Sequence, residues 1–352
     1  MIRSRTYLAV PPGETIKEQL EDRGMSQKEF AVRMDTSEKH ISRLINGDVL
    51  LTTDMAIRLE TVLGVPAGFW SNLEAIYREN IAKAEAENSL DADAEIAKSF
   101  PYSEMSKLGW VPVTRDAREK AVNLRKYFEV VDLSLLGNEQ INRIACRKLA
   151  ITEKSDLAMM AWAQEAKLKA RDVQTSPVDI DGLITVMSDL RLMTTLKPRQ
   201  AFPRVKSYLA NYGIALVFLP HLKGVSMNGA SFRDGRKIVV GVEAGKTADD
   251  RLWLDIFHEL AHIALGHVGR PGGTSDADER AADRWACDML IVTEEFDRFT
   301  SDGDYSEKSV RRFAKEQGIA PGIVVERLQS EGKIKRNVLN YMKALYEIKG
   351  GT

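Results

Sequence analysis

One stretch, residues 255–267, constrains this chain more than any other, because it carries His258, Glu259 and His262 in the spacing His-Glu-x-x-His. On a helix, residues four apart share a face, so two imidazoles at that spacing can grip one ion. Glu259 follows the first imidazole and can reach a water at the ion without binding the ion itself. Zinc lowers the pKa of such a water to about 7, and a nearby carboxylate can then take its proton. The other face of the helix is apolar: Leu254, Phe257, Ala261 and Leu265 are spaced for burial. A fold is therefore required that buries one side of this helix and leaves the other open to a cleft.

A catalytic zinc needs three protein ligands and an open position. Downstream, Asp278–Leu290 reads as a second helix, with Ala282, Trp285, Ala286, Met289 and Leu290 forming one stripe. Glu279 and Asp283 lie at i and i+4 on one side of it. That pair suits one ligand carboxylate and one carboxylate that holds a ligand histidine by its other ring nitrogen. Glu279 is assigned as the ligand and Asp283 as the orienting group; the spacing also allows the reverse. Asp276 and Asp278 are weaker candidates. His267 is a candidate ligand in place of the carboxylate, though a capping or packing role at the helix end suits it better. Of the five histidines in the chain, three fall within ten residues here, which strengthens the metal reading over a merely structural helix.

The chain has 352 residues, enough for two or three domains. At 44% apolar and 29% charged it has ample core, and its net charge of −1 gives no global basic field, so any nucleic-acid contact must be local. Cys146 and Cys287 form no metal or disulfide pattern and read as core thiols of a reducing cytoplasm. No signal peptide and no membrane-spanning apolar run are evident.

Residues 11–80 read as a five-helix packet. Ser26 with Glu29 forms a capping-box pattern before the helix Gln27–Met34, and Ser37 caps Glu38–Ile45, which Asn46 and Gly47 stop. Two short helices joined by a tight turn make a helix-turn-helix reader of double-stranded DNA. Ile41 and Leu44 point to the core. Glu38, Lys39, Ser42 and Arg43 face outward, where Lys39 and Arg43 can donate to guanine and Glu38 can accept from cytosine. Gln27 and Lys28 are placed to touch phosphates.

Residues 81–205 form a helical middle region: a charged helix from Ile81 to Phe100, then helical patterns at Asp116–Tyr127, Gln140–Leu149, Leu157–Arg171 and Ile180–Leu190. No catalytic constellation is found there. Residues 206–352 form a third region, small and mixed. Ile214–Leu219 is an apolar strand, and Gly229–Phe232 and Lys237–Gly241 flank a hairpin turn. Asp249 or Asp250 caps the metal helix. An edge strand near the metal would hold an extended peptide by strand addition. Helical segments Glu307–Gln317 and Ile323–Leu328 close the chain. A basic set that includes Arg311, Arg327 and Arg336 reads as a solvated face. The expected fold is α+β and mostly helical, with helix-turn-helix, helical middle and mixed α+β parts in that order.

The N-terminal part resembles the helix-turn-helix family of phage repressors, and most closely the antitoxin branch called HigA. The likeness rests on Pro12-Gly13-Glu14, Gly24 to Ala31, Ile45-Asn46-Gly47, Asp54 to Leu59, Gly64-Val65-Pro66 and Phe69 to Leu73. It implies a homodimer on a palindromic operator. The C-terminal part resembles the ImmA/IrrE family of metallopeptidases. That likeness rests on Gly229-Ala230, Asp249-Asp250-Arg251, the His258 motif through His267, Glu279 with Ala282 to Ala286, and Gly318 to Leu328. Many relatives carry a glutamate just before the Ala-Asp pair; here Ala281 stands there, which leaves Glu279 as the third ligand. The resemblance implies cleavage of a partner transcription regulator, with relief of repression. The expected function is therefore a cytoplasmic DNA-binding regulator with a fused zinc endopeptidase, acting on a regulatory or toxin-system protein. The alternative is a non-catalytic antitoxin-type repressor whose C-terminal fold only binds a partner or senses a signal.

Overall fold

The computed structural model describes residues 3–138, 141, 154–244, 250–270 and 273–344. The expected helix Gln140–Leu149 with Cys146, and Asp249 as a cap, lie outside them. The chain divides into two compact units, Met1–Glu95 and Ile96–Thr352.

The first unit is helical: α1 (Pro12–Asp22), α2 (Gln27–Arg33), α3 (Glu38–Ile45), α4 (Thr53–Leu63) and α5 (Ala67–Ala97), with the division falling in the last turn of α5. Its core gathers Ile16, Phe30, Ile41, Leu44, Leu59 and Trp70. Side-chain caps start three of the helices. Ser26 accepts from Glu29 N, Ser37 from His40 N and Thr52 from Met55 N. Only half of the expected capping box is present, because Glu29 turns its side chain to Arg33. The α2–α3 turn passes through Asp35 at φ 51°, and Arg58 of α4 donates to the carbonyls of Met34 and Asp35. Gly13 meets the backbone of Ile45 so closely that a Cβ would stand 1.9 Å from the Ile45 carbonyl oxygen.

The second unit opens with α6 (Tyr102–Lys107), α7 (Ala117–Phe128) and α8 (Lys154–Ala170). Next come α9 (Ile180–Thr185) and α10 (Met187–Leu192), which split what reads in the sequence as one helix, and α11 (Pro198–Ala210). Three strands follow: β1 (Ile214–Leu219), β2 (Gly229–Asp234) and β3 (Lys237–Glu243). The rest is helical: α12 (Arg251–Ala264), α13 (Asp276–Leu290), α14 (Thr293–Ser301), α15 (Glu307–Gln317) and α16 (Pro321–Ser330). The sheet order is β1-β3-β2, with β3 parallel to β1 and antiparallel to β2. Alternation along the strands gives the sheet two covered faces. Ile214, Leu216, Ile238, Val240 and Val242 share a core with Trp253, Ile256, Phe257 and Leu260 of α12. On the other face Gly241 lies under Trp162 and Ala166 of α8.

The core of the second unit reaches back before residue 206. Leu183, Met187, Leu190, Ala201, Phe202 and Val205 belong to the same core as α12 and the sheet. Residues 96–205 thus contribute helices to the second unit, because their apolar faces find the sheet and α12 rather than one another. Arg327 also departs from expectation. It is 6% exposed, stacks 4.2 Å from the Phe296 ring centre and donates to Ile291 O and Thr293 Oγ1, so it joins α16 to α13 and α14 instead of facing solvent. Asp250 stands at the N-cap of α12 but makes no side-chain cap; it is buried and accepts from Ala344 N.

A metal-binding constellation and a reading helix

α12 buries Leu252, Trp253, Ile256, Phe257, Leu260, Ala261 and Ile263; of the four residues expected, Phe257 and Ala261 are buried, whereas Leu254 and Leu265 are only half-buried and Leu254 lines the cleft. Its other face lines a cleft of about 820 Å³ together with β2, α13 and α16. Ser275 starts α13 with a full capping box. Its hydroxyl accepts from Asp278 N, and Asp278 accepts in turn from Ser275 N and Oγ. Both oxygens of Asp278 are engaged there and with Arg270, and it is not part of the donor set of His258, His262 and Glu279.

α12 and α13 bring three donor atoms together. His258 Nε2 and His262 Nε2 are 3.0 Å apart, and Glu279 Oε2 is 3.2 Å from the first and 3.5 Å from the second. Tetrahedral ligands about 2.0–2.1 Å from a zinc ion stand about 3.3–3.4 Å from one another, so the spacing fits one small ion with a fourth position open. Among the described residues, His258, His262 and Glu279 are the set able to hold a metal. Asp276 lines the cleft but is exposed and outside that set.

The surrounding charge also favours a cation. Burial works against a charged His258, yet its hydrogen bond to Asp283 and the fields of Glu259, Asp283 and Glu279 outweigh it and raise the imidazole to about 9. Asp283 Oδ1 lies 2.8 Å from His258 Nδ1, which leaves Nε2 for the ion. The same contact keeps the Asp283 carboxyl below its usual range. Burial and the charge of His258 push His262 downward.

Glu259 is 5% exposed, and burial raises its carboxyl to about 7, with His258 and Ser231 pulling the other way. Among the described residues its Oε2 finds no hydrogen-bond partner, and neither does the buried Ser231 Oγ of β2. A buried, unpartnered carboxyl oxygen costs stability, and water or a substrate proton would satisfy it. β2 passes Glu259 at Gly229 and presents Gly229 and Ser231 to the cleft, and its far edge has no strand partner among the described residues.

Sequence reasoning gave His267 no defined contact. It is 4% exposed, and its Nδ1 lies 2.9 Å from His262 Nδ1. The available signal was Gly266, at φ 67°, which turns the chain back on the helix end.

In the first unit, α3 exposes Glu38, Lys39 and Arg43, with Ser42 half-buried, while Ile41, Leu44 and Ile45 anchor it. Lys28 is exposed and Gln27 half-buried at the start of α2. The arrangement leaves one polar helix face free for a groove. No helix among the described residues is long and apolar enough to cross a membrane.

Two family matches agree with these two constellations. Residues 16–70 match the helix-turn-helix family, and residues 212–329 match peptidase family M78, the IrrE N-terminal-like domain. Among curated proteins, the uncharacterized HTH-type transcriptional regulator YddM of Escherichia coli (strain K12) is 38% identical over 80 residues, which cover 23% of this chain and 81% of YddM.

Proposed function

Because the chain belongs to the helix-turn-helix transcriptional regulators through its N-terminal unit and carries an IrrE N-terminal-like domain after it, we propose that it couples operator binding to zinc-dependent cleavage of a partner regulatory protein. The DNA-binding regulator with a metallopeptidase-like domain is the premise; the zinc, the cleavage and the partner are the proposal. One observation carries it: a buried carboxyl with an unpartnered oxygen, Glu259, directly beside the His258, His262 and Glu279 donors. A module that only binds has no need of a desolvated base there.

A zinc ion held by these three residues supplies Lewis acidity, which polarises a carbonyl and brings the pKa of water toward about 7. The protein supplies the rest. The vacant edge of β2 holds the substrate backbone in extended form, with its scissile carbonyl over the cleft. Glu259 takes a proton from the attacking water as the new C–O bond forms. The same carboxyl then delivers that proton to the leaving nitrogen as the C–N bond breaks. Asp283 keeps the His258 ring turned toward the ion site. In the first unit, Lys39, Arg43, Glu38 and Ser42 read base edges while Gln27 and Lys28 hold phosphates, on a homodimer at a palindromic operator in the cytoplasm. The substrate is a regulatory or toxin-system protein.

The test is metal content together with Glu259→Gln. Zinc-loaded wild type is mixed with the regulator encoded beside it and the products are read by mass spectrometry. The expected result is one cut by the wild type, and equal zinc with at least about 10²-fold slower cleavage in the variant. Wild type that holds no metal and cuts no partner would leave a DNA-binding protein whose second unit only binds.

A further inference from the structure

The two histidines of the metal constellation are held in different ways. His258 leans directly on a carboxylate. His262 leans on another imidazole, His267, at 2.9 Å between the two Nδ1 atoms. His267 is buried, and its backbone N–H donates to His262 O at 2.8 Å, so the turn after α12 folds it back along the helix end. Its Nε2 lies 3.3 Å from Asp278 Oδ1. Asp278 is itself fixed, by Arg270 Nη1 at 3.0 Å and by Ser275 N and Oγ at 2.9 and 2.7 Å.

Proton placement along this row has one consistent solution. A ligand His262 carries no proton on Nε2, so its proton is on Nδ1. The contact between the two Nδ1 atoms holds a single proton, so His267 accepts there. A neutral His267 then carries its own proton on Nε2, which faces a carboxylate that can only accept. If His267 instead donated at both nitrogens, His262 would carry its proton on Nε2, aimed at His258 and Glu279, and could not bind an ion. We propose that His267 is a positioning residue of the metal site: by accepting from His262, with its other ring nitrogen turned to the charge of Asp278, it holds His262 in the tautomer and orientation that bind the ion. This rests on the reading that His258, His262 and Glu279 hold a metal.

The test uses the full chain with Co²⁺ as a spectroscopic probe and zinc by competition, comparing wild type, His267→Phe and His267→Gln. Phe fills the space but cannot accept, whereas Gln can accept from His262 and donate to Asp278. The expected result is a loss of metal affinity of about 10–100-fold for Phe, with Gln close to wild type. Ring ¹⁵N shifts should show His262 protonated at Nδ1 in the zinc-loaded wild type. Phe binding as tightly as wild type would overturn the proposal, as would equal weakening by Phe and Gln, or a His262 ring protonated at Nε2. Wild type that takes up no Co²⁺ would remove the metal reading itself, a failure distinct from the others. If the Phe variant does not fold, the Gln variant and the ring shifts still decide.

Discussion

A Cβ on Gly229 would stand 2.6 Å from Glu259 Oε1 and 2.8 Å from its Cγ, so β2 passes the carboxyl of α12 only because it has no side chain there. That closeness places the base and the strand edge against each other in one cleft. Gly229→Ala should push the carboxyl or the strand aside while leaving His258, His262 and Glu279 in place. Zinc content should be unchanged and cleavage should fall by about 10²-fold, the scale of a misplacement near 1 Å. Metal analysis beside a cleavage assay checks this, and loss of zinc together with activity would contradict it.

Asp283→Asn should weaken zinc by about 10–100-fold, because the amide no longer offers His258 Nδ1 a charged acceptor. The Asp283 side chain is 68% exposed, so the fold should tolerate the change. Competition with a chelating dye measures the affinity, and a melting curve without metal should match wild type.

Lys28→Ala and Arg43→Ala should behave differently on DNA. Without the Lys28 ammonium at a phosphate, binding to all sequences should weaken alike and the salt slope should fall by about 1. Without the Arg43 guanidinium at a base edge, the selected operator should bind about 1–3 kcal/mol more weakly and sequence preference should relax. Anisotropy titrations on selected and scrambled duplexes at several salt concentrations separate the two.

Gly13→Ala should destabilise the first unit by about 1–3 kcal/mol or more, since the new methyl meets the Ile45 backbone rather than a movable side chain. Hydrogen exchange should quicken across α1 to α4 while α12 and α13 keep their protection. Equal protection of α1 to α4 in wild type and variant would refute the close approach.

What Glu165 contributes to the stability of the second unit should fall as pH rises past the ordinary carboxylate range. Burial raises the Glu165 carboxyl above 4.5, against the pull of Lys169 and of the Tyr127 hydroxyl. Since the folded chain prefers the protonated form, this group's contribution is whole below 4.5 and is lost as pH climbs through the raised value. Glu165→Gln should flatten that decline, because Gln still accepts from Tyr127. Urea midpoints between pH 4 and 8 measure it.

Much of the centre was readable from spacing, because helical periodicity turns residue numbers into faces. His258 and His262 share one face of α12, and α13 brings Glu279 to both of them and Asp283 to His258. What escaped depends on where the chain goes after a helix ends, or on which face a strand offers. His267 reads as a capping or packing residue at the end of α12, but its contact with His262 depends on Gly266 turning the chain back. Gly229 reads as the start of a strand, with no sign that Glu259 lies beside it. Arg327 reads as surface charge, because sequence does not show that Ile291 O and the Phe296 ring will cover it. The helices before residue 206 are hard to place for a similar reason: amphipathic helices do not say which partner their apolar side will find.

The side of β2 that has no strand partner among the described residues has a colloidal consequence. A strand flank with free amides and carbonyls accepts any extended chain, including a second copy of itself. β2 is six residues long and its last two residues are the exposed Arg233 and the half-buried Asp234, which limits such self-pairing without abolishing it. Stocks concentrated without the natural partner should therefore be prone to slow clumping, and a peptide that fills the cleft should keep them dispersed.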